Sequence, residues 1–151
     1  LRGIIMLRSR GKELTCKISS HILRWLFGGC LYGLLEIAWR GYTHWTMILL
    51  AALLCIPLDI ANEHIPWDMP LPLQGVLGGL TITAMEFVTG LIVNVWLGLG
   101  VWDYSDQIGN ILGQICPLYT ILWCMLAIPV IVVFDWLEYK ICGGEKPYYT
   151  V

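Results

Sequence analysis

The sequence predicts an all-α membrane protein, a bundle of four transmembrane helices, and three observations carry that prediction. Hydrophobic residues make up 58% of the 151 residues and charged residues only 13%. With a mean hydropathy of +0.71, the chain has too little polar surface to cover a water-soluble globule, so lipid is its expected solvent. Each helical crossing takes about 20 apolar residues, which leaves room for four crossings, short connections and no separate soluble domain. The expected organisation is a basic N-terminal segment over 1–17, one membrane domain over 18–139 and a short tail over 140–151.

The first span is expected over about 18–39, with Trp25 and Trp39 near its two boundaries and Arg40-Gly41 ending it. The second, about 42–61, is short and Pro-kinked: only fourteen residues separate His44 from Asp59, and Pro57 removes a backbone donor near its end. It crosses obliquely or re-enters. The Ile65-Pro-Trp-Asp-Met-Pro-Leu-Pro connection reads as a stiff, extended interfacial segment. The third span, about 73–99, is the longest, and the Trp102-Asp-Tyr-Ser-Asp after it is expected on the outer surface. The fourth, about 115–137, begins near Pro117, carries Pro129 and ends at Asp135, Trp136 and Glu138.

Arg2, Arg8, Arg10, Lys12, Lys17 and Arg24 crowd the N-terminal end, and Lys140 and Lys146 lie in the tail. The bias places both termini in the cytoplasm, with the chain integral to a cell membrane, the inner membrane in a bacterium. No stretch has the short apolar core and cleavage site of a removable signal peptide, so the first helix is expected to be its own insertion signal. Cys30, Cys55, Cys116 and Cys124 fall within apolar segments, while Cys16 and Cys142 flank the bundle on the expected cytoplasmic side, where a disulfide framework is not expected.

Glu86 sits near the middle of the charge-free run between Asp68 and Asp103. A carboxylate at the bilayer midplane costs about 2.5–3.5 kcal/mol on insertion scales, so Glu86 must be protonated, paired or facing water. At 100° per residue Gly75, Gly79, Thr83, Glu86, Gly90 and Asn94 share a wedge of about 100°, and Gly29, Gly33, Glu36 and Arg40 one of about 60°. Small residues let membrane helices approach closely, so Gly29, Gly33, Gly75, Gly79 and Gly90 are the expected packing positions, with the first helix against the third. The expected site is an outward-facing polar pocket with Glu86 as its floor. Its candidates are Glu36, Arg40, His44, Glu63, Glu86, Asn94, Trp102, Asp103, Tyr104 and Ser105. Plainer roles compete: Glu36 and Arg40 as an i,i+4 ion pair, Glu86 as a neutral acid bonding helices together, and the aromatic residues as interfacial anchors.

No C-x-x-C pair or spaced histidine set offers a metal site, and no cofactor is expected. There is no P-loop, no G-x-S-x-G elbow, no H-E-x-x-H and no second catalytic residue at defined spacing to the acids, so the chain is not expected to be an enzyme. The basic residues lie beside the membrane, where lipid headgroups and not nucleic acid are the expected contact.

Glu36-Ile-Ala-Trp-Arg-Gly-Tyr-Thr-His-Trp-Thr-Met, Asn62-Glu63, Met85-Glu-Phe-Val-Thr-Gly, Trp102-Asp-Tyr-Ser-Asp and Gly113-Gln-Ile-Cys, with Trp123 beyond, form a set. From Leu31 to about Trp136 the chain resembles the bacterial proteins labelled Putative ABC-transporter type IV permeases. The resemblance implies a small multi-spanning fold and, from the family's label, a transport role. It picks out Glu36, Glu86, Trp102, Asp103, Tyr104 and Ser105. The departure is Gln107-Ile-Gly before Asn110, where the family pattern has a proline and an aromatic. The leading functional expectation is a transporter or channel component, acting as a homo-oligomer or with a membrane partner because four helices enclose little volume. A non-transporting scaffold or regulatory subunit is the alternative, and a phage-type holin a weaker one.

Overall fold

The computed structural model describes the fold of residues 2–66, 68–143 and 145–150, and within these the side chains from residue 15 onward except 61–63. Four helices follow in order, α1 Arg2–Arg40, α2 Trp45–His64, α3 Leu71–Gly90 and α4 Pro117–Cys142, with α3 prolonged by a π-helical stretch, Leu91–Trp96. Three stretches are long and apolar enough to cross a bilayer, Thr15–Arg40, Leu71–Trp96 and Pro117–Cys142, while α2 is apolar over the shorter Trp45–Ile60. The chain forms the expected all-α bundle. At 20 residues, α2 measures about 30 Å, the thickness of a hydrocarbon core.

Local chemistry sets the helix ends. Pro72 and Pro117 stand in the first turns of α3 and α4, where a missing N–H costs nothing. Gly41, at φ +81°, closes α1 and donates its N–H to the Ile37 carbonyl at 2.8 Å. Large apolar side chains such as Leu23, Leu34, Val95, Ile121 and Met125 are exposed around the outside, as a lipid-facing belt requires.

The helices pack as two hairpins, α1 with α2 and α3 with α4. A Cβ on Gly29 would lie 2.7 Å from the Ile48 carbonyl oxygen and 2.8 Å from Ala52 Cβ, and one on Gly33 would lie 2.8 Å from Ile48. On α3, a Cβ on Gly75 would strike Ile128, and one on Gly79 the backbone of Cys124. The small-residue stripes therefore let backbones touch, but the expected pairing of the first helix with the third is corrected. Consecutive antiparallel helices with short connections meet first, and each stripe is consumed inside its own hairpin.

Both termini and the α2–α3 connection lie at one end of the bundle, the termini end; the other two connections lie at the loop end. At the termini end Arg24 and Asp59, exposed by only 2% and 1%, meet at 3.2 Å, and Arg24 also reaches Glu138 at 3.2 Å. His21 contacts the Asp59 carboxylate at 2.5 Å and the Trp25 indole donates to it at 3.0 Å. Arg24 and Trp25 thus serve an ionic knot joining α1, α2 and α4, whereas the sequence counts Arg24 among the basic residues beside the membrane and places Trp25 at a span boundary. The tail folds back over this end. Leu71 donates its N–H to the Thr150 carbonyl at 2.8 Å, and the Tyr149 hydroxyl donates to Asp135 at 2.8 Å. Burial first, and then Asp135, push the Tyr149 phenol above its ordinary value. A second correction concerns Cys16 and Cys142, which face each other with Cα atoms 6.1 Å apart and are joined as a disulfide. The antiparallel course of α1 and α4 brings together two residues that the sequence separates by 126 positions.

Candidate functional site

Glu86 occupies the buried face of α3, 3% exposed, in the half nearer the loop end. Helical spacing puts it on the same face as Gly79, Thr83 and Gly90, so it points toward α4 and the α3–α4 connection. There its two carboxyl oxygens accept from different elements: the Tyr104 hydroxyl at 3.0 Å from the connection, and the Trp123 indole N–H at 2.8 Å from α4. Among the described residues no cation forms an ion pair with it. Tyr104 stacks on Tyr119 with ring centroids 4.4 Å apart, and Tyr32 of α1 approaches Trp123 at 6.4 Å. A lone carboxyl held by neutral aromatic donors is an arrangement that tolerates either protonation state, because both donors bond the carboxylate and a neutral acid keeps acceptor capacity.

The connection that delivers Tyr104 is anchored by Asn94. This residue sits in the π-helical stretch, where the wider turn carries Leu97 N–H to the Ile92 carbonyl at 2.9 Å. Its side-chain amide donates to the Trp102 carbonyl at 3.0 Å and to Gln114 Oε1 at 2.8 Å, while its own oxygen accepts the Val101 N–H at 2.7 Å. Trp102, expected on the outer surface, is only 4% exposed and packs on Met47 and Leu50, with its indole donating to the Gln114 carbonyl at 3.1 Å. The connection folds inward to plug the gap between helix ends, which buries Trp102 and turns Tyr104 down toward Glu86. Gln114 in turn abuts Gly90, where a Cβ would come within 2.5 Å of its Oε1.

The remaining candidates separate into two groups. Glu36 receives Arg40 at 2.8 Å and the Thr43 hydroxyl at 2.5 Å, an assembly that caps the α1–α2 turn beside the main site. Asp103 and Ser105 are exposed and serve each other: Asp103 accepts the Ser105 N–H at 2.9 Å and its hydroxyl at 2.5 Å, and these bonds hold its carboxyl below the usual carboxylate range. His44 accepts the Thr46 N–H at 3.4 Å at the start of α2 and is exposed. None of Asp103, Ser105 and His44 has a bond to Glu86. The side chain of Glu63 lies outside the described residues. Tyr32, Tyr119, Trp123 and Gln114 were absent from the sequence candidates, although Trp123 and the Gly113-Gln pair stand in the motif set.

Between the two hairpins lies a cavity of about 440 Å³ lined by all four helices, and Glu86 is the one carboxyl among its nineteen lining residues. The sequence profile of the Putative ABC-transporter type IV family matches residues 30–144. The chain belongs to that family. The matched stretch contains every residue bonded to Glu86, together with Glu36, Asn94 and Gln114, whereas His21 and Arg24 of the ionic knot precede it. Neither the curated proteins nor the solved structures contain a match to the chain.

Proposed function

We propose that this member of the Putative ABC-transporter type IV family is a transporter or channel component whose working group is Glu86. The carrying observation is the carboxyl itself: buried in a membrane helix, bordering a cavity between the hairpins, and bonded, among the described residues, to a phenol and an indole. Ionisable groups inside membrane helices mark pathways and binding sites more often than simple packing, and Glu86, unlike Arg24 and Asp59, has no ion-pair partner among the described residues. Four helices enclose little volume, so a second copy or a membrane partner completes the pathway. The Lys/Arg bias favours the cytoplasm for the termini end, and the Cys16–Cys142 disulfide at that end favours an oxidising compartment. A reporter fused to the C-terminus and active in only one compartment decides between them.

The test is flux through purified protein in liposomes, parent against Glu86→Gln. Solute movement above that of protein-free vesicles, reduced at least tenfold by the substitution, supports the reading; leak equal to empty vesicles for all ions and small solutes sinks it. A second reading is favoured by the two hydrogen bonds that tie α3 to α4 and to its connection. In that reading Glu86 holds the shape of a scaffold or regulatory subunit, and the chain leaves native membranes with a stoichiometric partner whose retention drops in Glu86→Gln.

A further inference from the structure

Two cysteines at the termini end take no part in the site around Glu86. Cys16 lies on α1, about two helical turns before Arg24, and Cys142 is the last residue of α4. Their sulfurs are bonded and their Cα atoms stand 6.1 Å apart, inside the range of about 4.4–6.8 Å that a disulfide spans without moving the backbone. Cys16 Sγ also lies 3.8 Å from the Ile141 carbonyl oxygen, so a thiol proton on Cys16 has an acceptor in place. One backbone therefore serves both the bonded pair and the dithiol. With 26 residues, α4 measures about 39 Å against about 30 Å of hydrocarbon, which carries its last residue out of the bilayer core. Both cysteines are half-buried, whereas Cys55 and Cys116 are buried.

The bond crosses the seam between the two hairpins. Arg24 of α1 reaches the Phe134 carbonyl and Glu138 of α4, and the disulfide ties the same two helices again nearer their ends. Beyond Arg24 toward the loop end, α1 and α4 face each other across the cavity through side chains such as Leu31 and Val130. The Lys/Arg bias favours the cytoplasm for this end, where thiols are kept reduced and the disulfides that form are mostly transient and redox-sensing. A half-buried pair held at bonding distance in either state meets that description.

We propose that Cys16 and Cys142 form a redox-responsive clasp: the dithiol leaves the seam to Arg24 and apolar packing, and the disulfide fastens the hairpins when a thiol oxidant reaches the termini end. The oxidant is a small disulfide such as glutathione disulfide. One cysteine thiolate attacks it, giving a mixed disulfide and one released thiol. The second cysteine then attacks its bonded neighbour and releases the other thiol. Two cysteine thiols are oxidised, one small disulfide is reduced, and the two cysteine protons end on the two released thiols. The clasp rests on the geometry of the termini end and is independent of the role of Glu86.

The test follows the two cysteines in the full chain. Cells are quenched in acid, and their membranes are alkylated with N-ethylmaleimide before reduction and with its deuterated form afterwards; mass spectrometry then gives the oxidised share of each cysteine. The expected result is a pair mostly dithiol in growing cells, with a disulfide-to-dithiol ratio about tenfold higher or more after brief exposure to diamide, falling again on recovery. Cys55 and Cys116 should stay thiols throughout. In nanodiscs, glutathione disulfide should raise the unfolding temperature by about 10 °C and slow amide exchange over 16–24 and 134–142. Cys16→Ser and Cys142→Ser should each abolish both responses; should they fail to fold, the parent reduced and alkylated supplies the unclasped state. A pair that is disulfide in growing cells and indifferent to diamide is a fixed staple and overturns the proposal, as does a pair that stays dithiol in both conditions. Equal exchange in oxidised and reduced protein overturns it too, even where the bond forms.

Discussion

At the termini end Arg24 meets Asp59 and Glu138, charge against charge across three helices. At the loop end Glu86 meets a tyrosine hydroxyl and an indole, a titratable group against neutral donors. Both carboxyl groups, Asp59 and Glu86, are almost fully buried, yet their partners give them opposite roles. Removing one member of a buried ion pair strands the other in low dielectric, so the termini knot resists change. The donors around Glu86 are neutral and strand no charge when one is removed, so the loop end depends less on any single partner. The knot also lies beside the disulfide and the returning tail.

That contrast can be broken by substitution. Arg24→Met should be the most damaging, losing about 3–5 kcal/mol of stability by removing the guanidinium from buried Asp59 and leaving it His21 and the Trp25 indole, read from thermal or detergent unfolding. The double variant Arg24→Met/Asp59→Leu should regain most of the loss; no recovery would mean that packing and not charge pairing governs this end. Gly79→Leu comes next: the added side chain meets the Cys124 backbone and should cost about 1–3 kcal/mol or more by forcing α3 from α4. Substitution at the exposed Leu34 on α1 should leave the same unfolding curve in place.

The loop end should respond more gently. Tyr104→Phe and Glu86→Gln should each shift stability by about 0.5–1.5 kcal/mol, because the other donor or the amide oxygen keeps one bond. A loss in either variant as large as that of Arg24→Met would erase the distinction between the two ends. The smallest effect belongs to Asp103. Its folded pKa lies below its unfolded value, so its contribution is complete at neutral pH and is lost as pH falls through the folded value. Exchange of the Ser105 amide should quicken on acidification, after correction for intrinsic rate, and Asp103→Asn should flatten that dependence.

The fold was legible because four apolar stretches of membrane-spanning or near-spanning length leave the chain few alternatives. Glu86 was legible for the same reason, as a lone acid in an uncharged run. Its surroundings were not. Trp123 and Tyr32 look like ordinary apolar residues of their spans until the helices pack, and Trp102 like an interfacial anchor until the connection folds inward. The ionic knot was missed because Arg24, Asp59 and Glu138 each sit near a span end, where a charge has an easy explanation in headgroups. Opposite charges at one depth on three spans were the available signal.

The sequence by itself determined that this chain is a helical membrane protein and where its apolar stretches lie, and it singled out Glu86 as a lone acid in an uncharged run. Hydrophobic run length and the cost of burying a charge are local properties that composition and order suffice to specify. Only the tertiary structure decided that the glycine stripes close two separate hairpins, that Cys16 meets Cys142, and that Glu86 borders the space left between the hairpins. Which face meets which is a matter of long-range packing, and a stripe of small residues states only that some backbone can come close.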